Sequence, residues 1–244
     1  MAAYRQLAES GAMAALEQCA KELTAPFYWY GETPPTDEGE PSGGTICFVY
    51  TGQTLLGVSA AHVHRACVKF VESNPGASCQ IGGHSFSPED RIIDIDDRID
   101  LVTYNLSAIQ VTAAGAYAYS PMSWPPNSSD TDHVYVGGWL WSMTADYTHE
   151  STHSFVSFVG KLTAQSSRNL VMGVFKSTSV PWGSGFLPPN ANLGGMSGGP
   201  LYAIRTEPLM RLELIGITYK YDQNSETVYA RPVSLIRSDG RLFW

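Results

Sequence analysis

Ser197 stands in Gly194-Gly195-Met196-Ser197-Gly198-Gly199-Pro200, one hydroxyl among four glycines with a proline closing the run. Glycine takes backbone conformations that a Cβ forbids and lets the chain approach a ligand closely. A serine on such a turn can hold its Oγ outward with neighbouring N–H groups facing the same way, as a nucleophile and an oxyanion hole require. A Gly/Ser/Pro cluster alone is ordinarily a loop. The chemical reading therefore depends on a base, because serine is a poor nucleophile at its free pKa, and the base needs an orienting partner. His62 ends Ser59-Ala60-Ala61-His62, after the apolar run Leu55-Leu56-Gly57-Val58, and the small residues leave its ring room to sit close to a serine. Asp100 is framed by Ile99 and Leu101-Val102. A carboxylate drawn into apolar surroundings needs a partner, and His62 is the partner assigned to it. Asp94, Asp96 and Asp97 share a charge-rich stretch with Arg91 and Arg98, which a solvated turn explains.

Two other arrangements invite a metal. His62 and His64 form His-x-His, but no cysteine or acid stands at a matching spacing. His149-Glu150-Ser151-Thr152-His153 matches the His-Glu-x-x-His zinc pattern, which works only on a helix that turns both histidines to one face. Ser and Thr surround the segment, and Phe155-Val156-Ser157-Phe158-Val159 reads as a strand. No Asp, Glu or His occurs from Ser154 to Thr206 to complete a ligand set. The match is read as coincidence in a surface loop, and no metal or organic cofactor is expected. Trp139, Trp141 and Trp182 are assigned to core or rim packing.

With His62, Asp100 and Ser197 in that chain order, the sequence resembles the trypsin/chymotrypsin-like serine proteases. Gly195-Met196-Ser197-Gly198-Gly199-Pro200 is similar to their Gly-Asp-Ser-Gly-Gly-Pro, Ser59-Ala60-Ala61-His62 to Thr-Ala-Ala-His, and Asp100-Leu101-Val102 to Asp-Ile-Ala. Val134-Tyr135-Val136-Gly137-Gly138-Trp139 resembles the strand opening their second barrel. Ile215-Gly216-Ile217-Thr218 with Val228-Tyr229 resembles the strand pair walling their specificity pocket. The likeness runs, with gaps, from about Gly43 to the C-terminus.

The resemblance implies an endopeptidase acting through an acyl-enzyme on a protein or peptide substrate. Ser197 would be nucleophile, His62 base, Asp100 orienter, and the N–H groups of Gly195 and Ser197 the oxyanion hole. Ala191, six residues before the serine, would floor the primary pocket, and Tyr219 and Tyr221 would narrow its walls. An apolar or small P1 residue is expected, not Lys or Arg. Two departures matter. Met196 replaces the aspartate that pairs with a freed N-terminus in family zymogens, which implies no activation of that kind. Val63 replaces the cysteine that follows the histidine in secreted relatives. The competing reading is a catalytically silent protease fold that binds peptides or proteins.

The elements that would position these residues are short and mostly β. The expected architecture is all-β: two packed six-stranded antiparallel barrels with an N-terminal helical extension. The divisions are a helix and Pro-rich linker at 1–42, a first barrel at 43–120, a crossing at 121–132 and a second barrel at 133–244. Ala2 to Leu23 reads as a helix, from alanine content and the spacing of Tyr4, Leu7, Ala8, Ala15, Cys19 and Leu23, with Pro26 as its stop. Strands are expected at 45–50, 54–58, 66–71, 78–81, 91–95 and 101–106, then at 134–136, 155–162, 170–175, 200–204, 212–219 and 227–229. At 244 residues the chain can bury one large β domain or two small ones. A net charge of −8 argues against nucleic-acid binding. No run of about twenty apolar residues predicts a membrane span, and no basic-then-apolar leader predicts secretion. Cys19, Cys47, Cys67 and Cys79 are accordingly expected as reduced thiols in the cytoplasm.

Overall fold

The computed structural model describes residues 11–31, 43–126, 133–142, 152–173, 193–222 and 224–243. Within them, helix α1 (Ala12–Glu22) ends before Thr24, whose hydroxyl donates to the carbonyls of Ala20 and Lys21. The chain then enters a sheet, while the Pro-rich linker expected at 34–41 lies outside the described residues. Strand β1 (Thr24–Tyr30) lies between β2 (Gly43–Tyr50) and β4 (Ser78–Ile81), antiparallel to both. Its inward residues Ala25, Phe27 and Trp29 are buried, the alternation of a pleated strand. Pro26 is tolerated because side-by-side pairing with β4 begins only at Phe27, and its carbonyl accepts from the N–H of Gly82. The first β unit thus takes a strand from the segment assigned to the extension.

That unit is a seven-stranded antiparallel sheet. Its remaining strands are β3 (Leu55–Ser59), β5 (His84–Ser85), β6 (Ile92–Asp96) and β7 (Leu101–Asn105), in the order β5-β4-β1-β2-β3-β7-β6. A closed barrel was expected here; the order found is an open one. The strand expected at 66–71 is instead part of helix α2 (Ala61–Ser73). Ala61, Val63, His64 and Cys67 are its buried residues, a spacing that puts them on one helical face. A short helix, α3 (Ala108–Ala113), follows β7, opened by a capping box between Ser107 and Gln110.

The second unit is a closed six-stranded barrel, as expected. It consists of β8 (His133–Ser142), β9 (Thr152–Gln165), β10 (Leu170–Gly173), β11 (Pro200–Arg205), β12 (Arg211–Asp222) and β13 (Thr227–Pro232), in the order β10-β13-β12-β11-β8-β9. Val134, Val136, Leu170, Met172, Leu201 and Ile215 fill it.

One apolar cluster joins the two units. Cys47, Val49, Leu56 and Leu101 of the sheet pack with Tyr135, Tyr202, Leu214 and Ile217 of the barrel. Leu16 and Ala20 of α1 belong to the same cluster, so the helix closes one side of the seam. Trp139 of β8 fastens it there, its indole N–H donating to Thr24 Oγ1 at 3.0 Å while the Lys21 ammonium lies 5.5 Å above its ring. Among the described residues no helix is long and apolar enough to cross a membrane. All four cysteines carry free thiols.

Candidate active site

His62 occupies the first turn of α2, directly after β3, and Asp100 stands at the entrance to β7, the neighbour of β3 in the sheet. Adjacent strands therefore bring together residues far apart in sequence. The contact is double: the His62 backbone N–H donates to Asp100 Oδ1 at 2.8 Å, and His62 Nδ1 lies 2.7 Å from Oδ2. Asp100 reaches this position with φ at +53°, a left-handed conformation that aspartate tolerates better than most residues. The same turn is tied to α2 by the ion pair of Arg65 with Asp97. Burial pushes the Asp100 carboxyl up. The hydrogen bonds and charge of His62, with the Arg231 guanidinium, outweigh it and hold the group below the usual carboxylate range. An ionised Asp100 selects the imidazole tautomer with its proton on Nδ1, leaving Nε2 as an acceptor. The imidazole is 42% exposed, while the Asp100 side chain, at 21%, is better shielded.

Ser197 belongs to the barrel, in the loop before β11, yet the loop is fastened to the sheet. Thr45 of β2 does most of this. Its N–H donates to the Ser197 carbonyl at 2.8 Å, and its hydroxyl donates to the Gly195 carbonyl at 2.9 Å while accepting from the Trp139 N–H at 2.8 Å. The Cys47 thiol, kept protonated by burial, donates to the Gly198 carbonyl at 3.2 Å. Gly198, at φ +88°, passes so close to Ser59 and Thr45 that a Cβ would lie 2.0 Å from the Thr45 carbonyl and 2.3 Å from Ser59 Oγ. From the barrel side, Thr218 Oγ1 donates to the carbonyls of Met196 and Gly199, and its own carbonyl accepts from the Gly198 N–H.

This lattice brings the Ser197 backbone against Gly44, which also abuts α2. A Cβ on Gly44 would meet Val63, the residue after His62, at 2.6 Å and the Ser197 carbonyl at 3.0 Å. The N–H groups of Met196, Gly198 and Gly199 all have backbone acceptors. Among the described residues, those of Gly195 and Ser197 meet none, and Gly195 sits at φ +101°. Met196 is buried in the barrel core with Leu193 and Leu140, so apolar packing holds the position where the resemblance has an aspartate.

Of the expected pocket residues, Ala191 lies outside the described residues, as does Trp182. Tyr219 sits where the register of β12 against β13 shifts between Thr218 and Lys220. Such a bulge re-aims a side chain, and Tyr219 packs against the apolar cluster of the sheet, whereas Tyr221 packs on that of the barrel. The two tyrosines therefore do not share one wall. His64 has no part in the pair: it is buried, its Nδ1 lies 3.0 Å from the Tyr104 hydroxyl, and burial with the Arg65 charge lowers its pKa. His149 and Glu150 lie outside the described residues, while Thr152 and His153 open strand β9 and so are not helical. Among the described residues no group of three His, Cys, Asp or Glu could hold a metal.

The sequence reading missed Thr45, Ser59, Cys47, Thr218 and Arg231. Small polar residues inside otherwise apolar strands were the available signal for the first four, since a buried hydroxyl or thiol needs a partner.

No protein-family model matches the chain, and no curated protein does. Among solved structures, 306 chains match. One comes from a study of aromatic interactions in the coupled folding and binding of the intrinsically disordered Sesbania mosaic virus VPg protein. It has a TM-score of 0.50 at 16% identity, covering 88% of this chain and 91% of its own, a likeness of fold.

Proposed function

We propose that the chain is a serine endopeptidase of the trypsin/chymotrypsin type, its seven-stranded sheet standing for the first of two barrels. The observation that carries the reading is the doubly hydrogen-bonded His62–Asp100 pair, with the residue after His62 and the backbone of a glycine-bounded serine both close to Gly44. Ser197 Oγ attacks the peptide carbonyl carbon as its proton passes to His62 Nε2. The C–N bond then breaks, and the same proton goes to the leaving amine. Water hydrolyses the acyl-enzyme by the reverse proton path. Asp100, ionised and shielded, fixes the tautomer and stabilises the imidazolium. The N–H groups of Gly195 and Ser197 bind the oxyanion. The buried Met196 supports a site formed without a zymogen ion pair.

The test is a fluorophosphonate probe with mass-spectrometric mapping of the adduct. Labelling of Ser197 in the native protein, absent in Ser197→Ala, is the expected result. No labelling, with peptide binding retained, would make the chain a silent protease fold. Activity abolished by chelator and untouched by the probe would require a metal mechanism. Tyr219 and the absence of an acid at Ala191 favour cleavage after apolar or small residues; a peptide-library profile dominated by Arg or Lys would overturn that part.

A further inference from the structure

Arg231, on β13 of the barrel, reaches across the seam to the turn that carries Asp100. Its Nε–H donates to the carbonyl of Ile99 at 2.6 Å, the residue immediately before Asp100. Its guanidinium carbon lies over the Tyr219 ring, 4.0 Å from the centroid. A terminal nitrogen donates to Asn169 Oδ1 and to the Arg168 carbonyl, in the turn between β9 and β10. The Tyr219 hydroxyl donates to the same Asn169 oxygen at 3.1 Å, which closes a ring of three side chains. One planar fork thus joins four pieces of chain: the Asp100 turn, the β12 bulge, the β9–β10 turn and its own strand.

Asp100 needs such support. Its backbone is left-handed, a conformation that persists only when its surroundings hold it. Thr218 directs its Oγ1 to the carbonyls of Met196 and Gly199 and not to Asp100. The groups facing Asp100 are His62 of α2, Arg231 of β13 and Tyr219 of β12.

Building on the endopeptidase reading, we propose that Arg231 is a positioning residue that locks the Asp100 turn and the Tyr219 wall into one unit across the seam. It touches neither the nucleophile nor the base. Through Ile99 it sets where the carboxylate meets His62, and through Tyr219 it fixes one side of the substrate path. Arginine is needed because the role combines a fork of donors with a flat cation stacked on an aromatic face, which lysine cannot reproduce.

The test compares native protein, Arg231→Met and Arg231→Lys by fluorophosphonate labelling rate against pH at low ionic strength, with thermal midpoints measured alongside. Arg231→Met keeps the stem, and a misplaced orienter is expected to slow labelling about 10²-fold. Its acid limb should move to higher pH, since the carboxylate loses a neighbouring cation. Arg231→Lys keeps the charge: its acid limb should stay in place while its rate still falls. A purely structural role would lower the midpoint and leave both rate and limb unchanged in the folded fraction, and that result overturns the proposal. Should Arg231→Met not fold, Arg231→Lys decides, a native labelling rate being the overturning result. If native protein itself is not labelled at Ser197, the endopeptidase reading has failed, and that is a separate outcome.

Discussion

The two halves of the site are held by different kinds of force. His62 and Asp100 come from the first β unit, one on the helix after β3 and the other just before β7, and are fixed to each other by two hydrogen bonds, one of them between their side chains. Ser197 comes from the barrel and is fixed by its backbone, through carbonyls captured by Thr45, Cys47 and Thr218 and by the close passage of Gly198. The base half is sensitive to the loss of single polar atoms. The nucleophile half is sensitive to the addition of a single methyl group. That division suits the chemistry, because the imidazole must change charge while the serine and its N–H groups must stay still.

Removing the reacting atoms breaks the comparison most severely. Ser197→Ala should lower kcat about 10⁶-fold, the loss expected when a nucleophile acting with its base is removed. Since Thr45 and Thr218 hold the loop by its backbone carbonyls, the variant should fold with an unchanged thermal midpoint. A loss below about 10²-fold would mean that another group attacks, because general acid–base assistance alone accounts for about 10²–10⁴.

On the base half, Asp100→Asn should cost about 10⁴-fold in kcat, by presenting an amide that favours the wrong imidazole tautomer. It also puts an NH2 where an acceptor is needed by either the backbone N–H or Nδ1 of His62. A steady-state assay at saturating substrate separates this from weakened binding. An unchanged kcat with raised KM would remove Asp100 from the orienting role.

Two glycines with the same φ of +88° isolate what holds the nucleophile half. At Gly52 an added Cβ meets nothing within 4 Å; at Gly198 it meets the Thr45 carbonyl and the Ser59 hydroxyl. Gly52→Ala should cost about 1–2 kcal/mol for the left-handed backbone alone. Gly198→Ala adds an overpacking cost of about 1–3 kcal/mol. The gap between them, read from denaturant midpoints, measures how tightly the loop is pressed on the sheet. Equal losses would show that the loop can back away. A folded Gly198→Ala should also label more slowly, because the displaced segment carries Ser197.

How much of this was legible depended on the range of the cause. Local frames marked Ser197, His62 and Asp100: glycines around one, small residues before another, apolar neighbours around the third. Short β-rich runs at 200–204, 212–219 and 227–229 marked barrel strands, and the observed strands contain them. The segment 66–71 misled because Val68, Phe70 and Val71 favour a strand when taken alone. Extending the window back to Ala61 reveals the helical face of Ala61, Val63, His64 and Cys67. Strand β1 was hidden by Pro26 in its middle, a residue that argues against a central strand until the offset of its neighbour is known. Thr45 and Arg231 were illegible for another reason: their partners stand far off in the chain, and no local pattern encodes a contact across the seam.

The smallest expected effect concerns the two histidines of α2. His62 Nδ1 meets the Asp100 carboxylate, whereas His64 is buried against Tyr104, and that burial lowers its pKa. A histidine whose folded pKa is lowered adds nothing to the pH dependence of stability above its unfolded value of about 6.5. As pH falls below that value the unfolded chain takes up the proton and the folded one does not, so stability declines until the folded pKa is reached. Asp100 behaves differently in range: its stabilisation is complete above the unfolded value of about 3.9 and is lost as pH drops through its lower folded pKa. Thermal midpoints across pH should therefore decline in two stages. His64→Gln, which can still hydrogen-bond to Tyr104, should flatten the upper stage and leave fluorophosphonate labelling at pH 8 unchanged. Asp100→Asn should flatten the lower stage. If His64→Gln left the upper stage intact, the buried histidine would have to be taking up its proton without unfolding. The contrast between the two positions on the helix would then collapse.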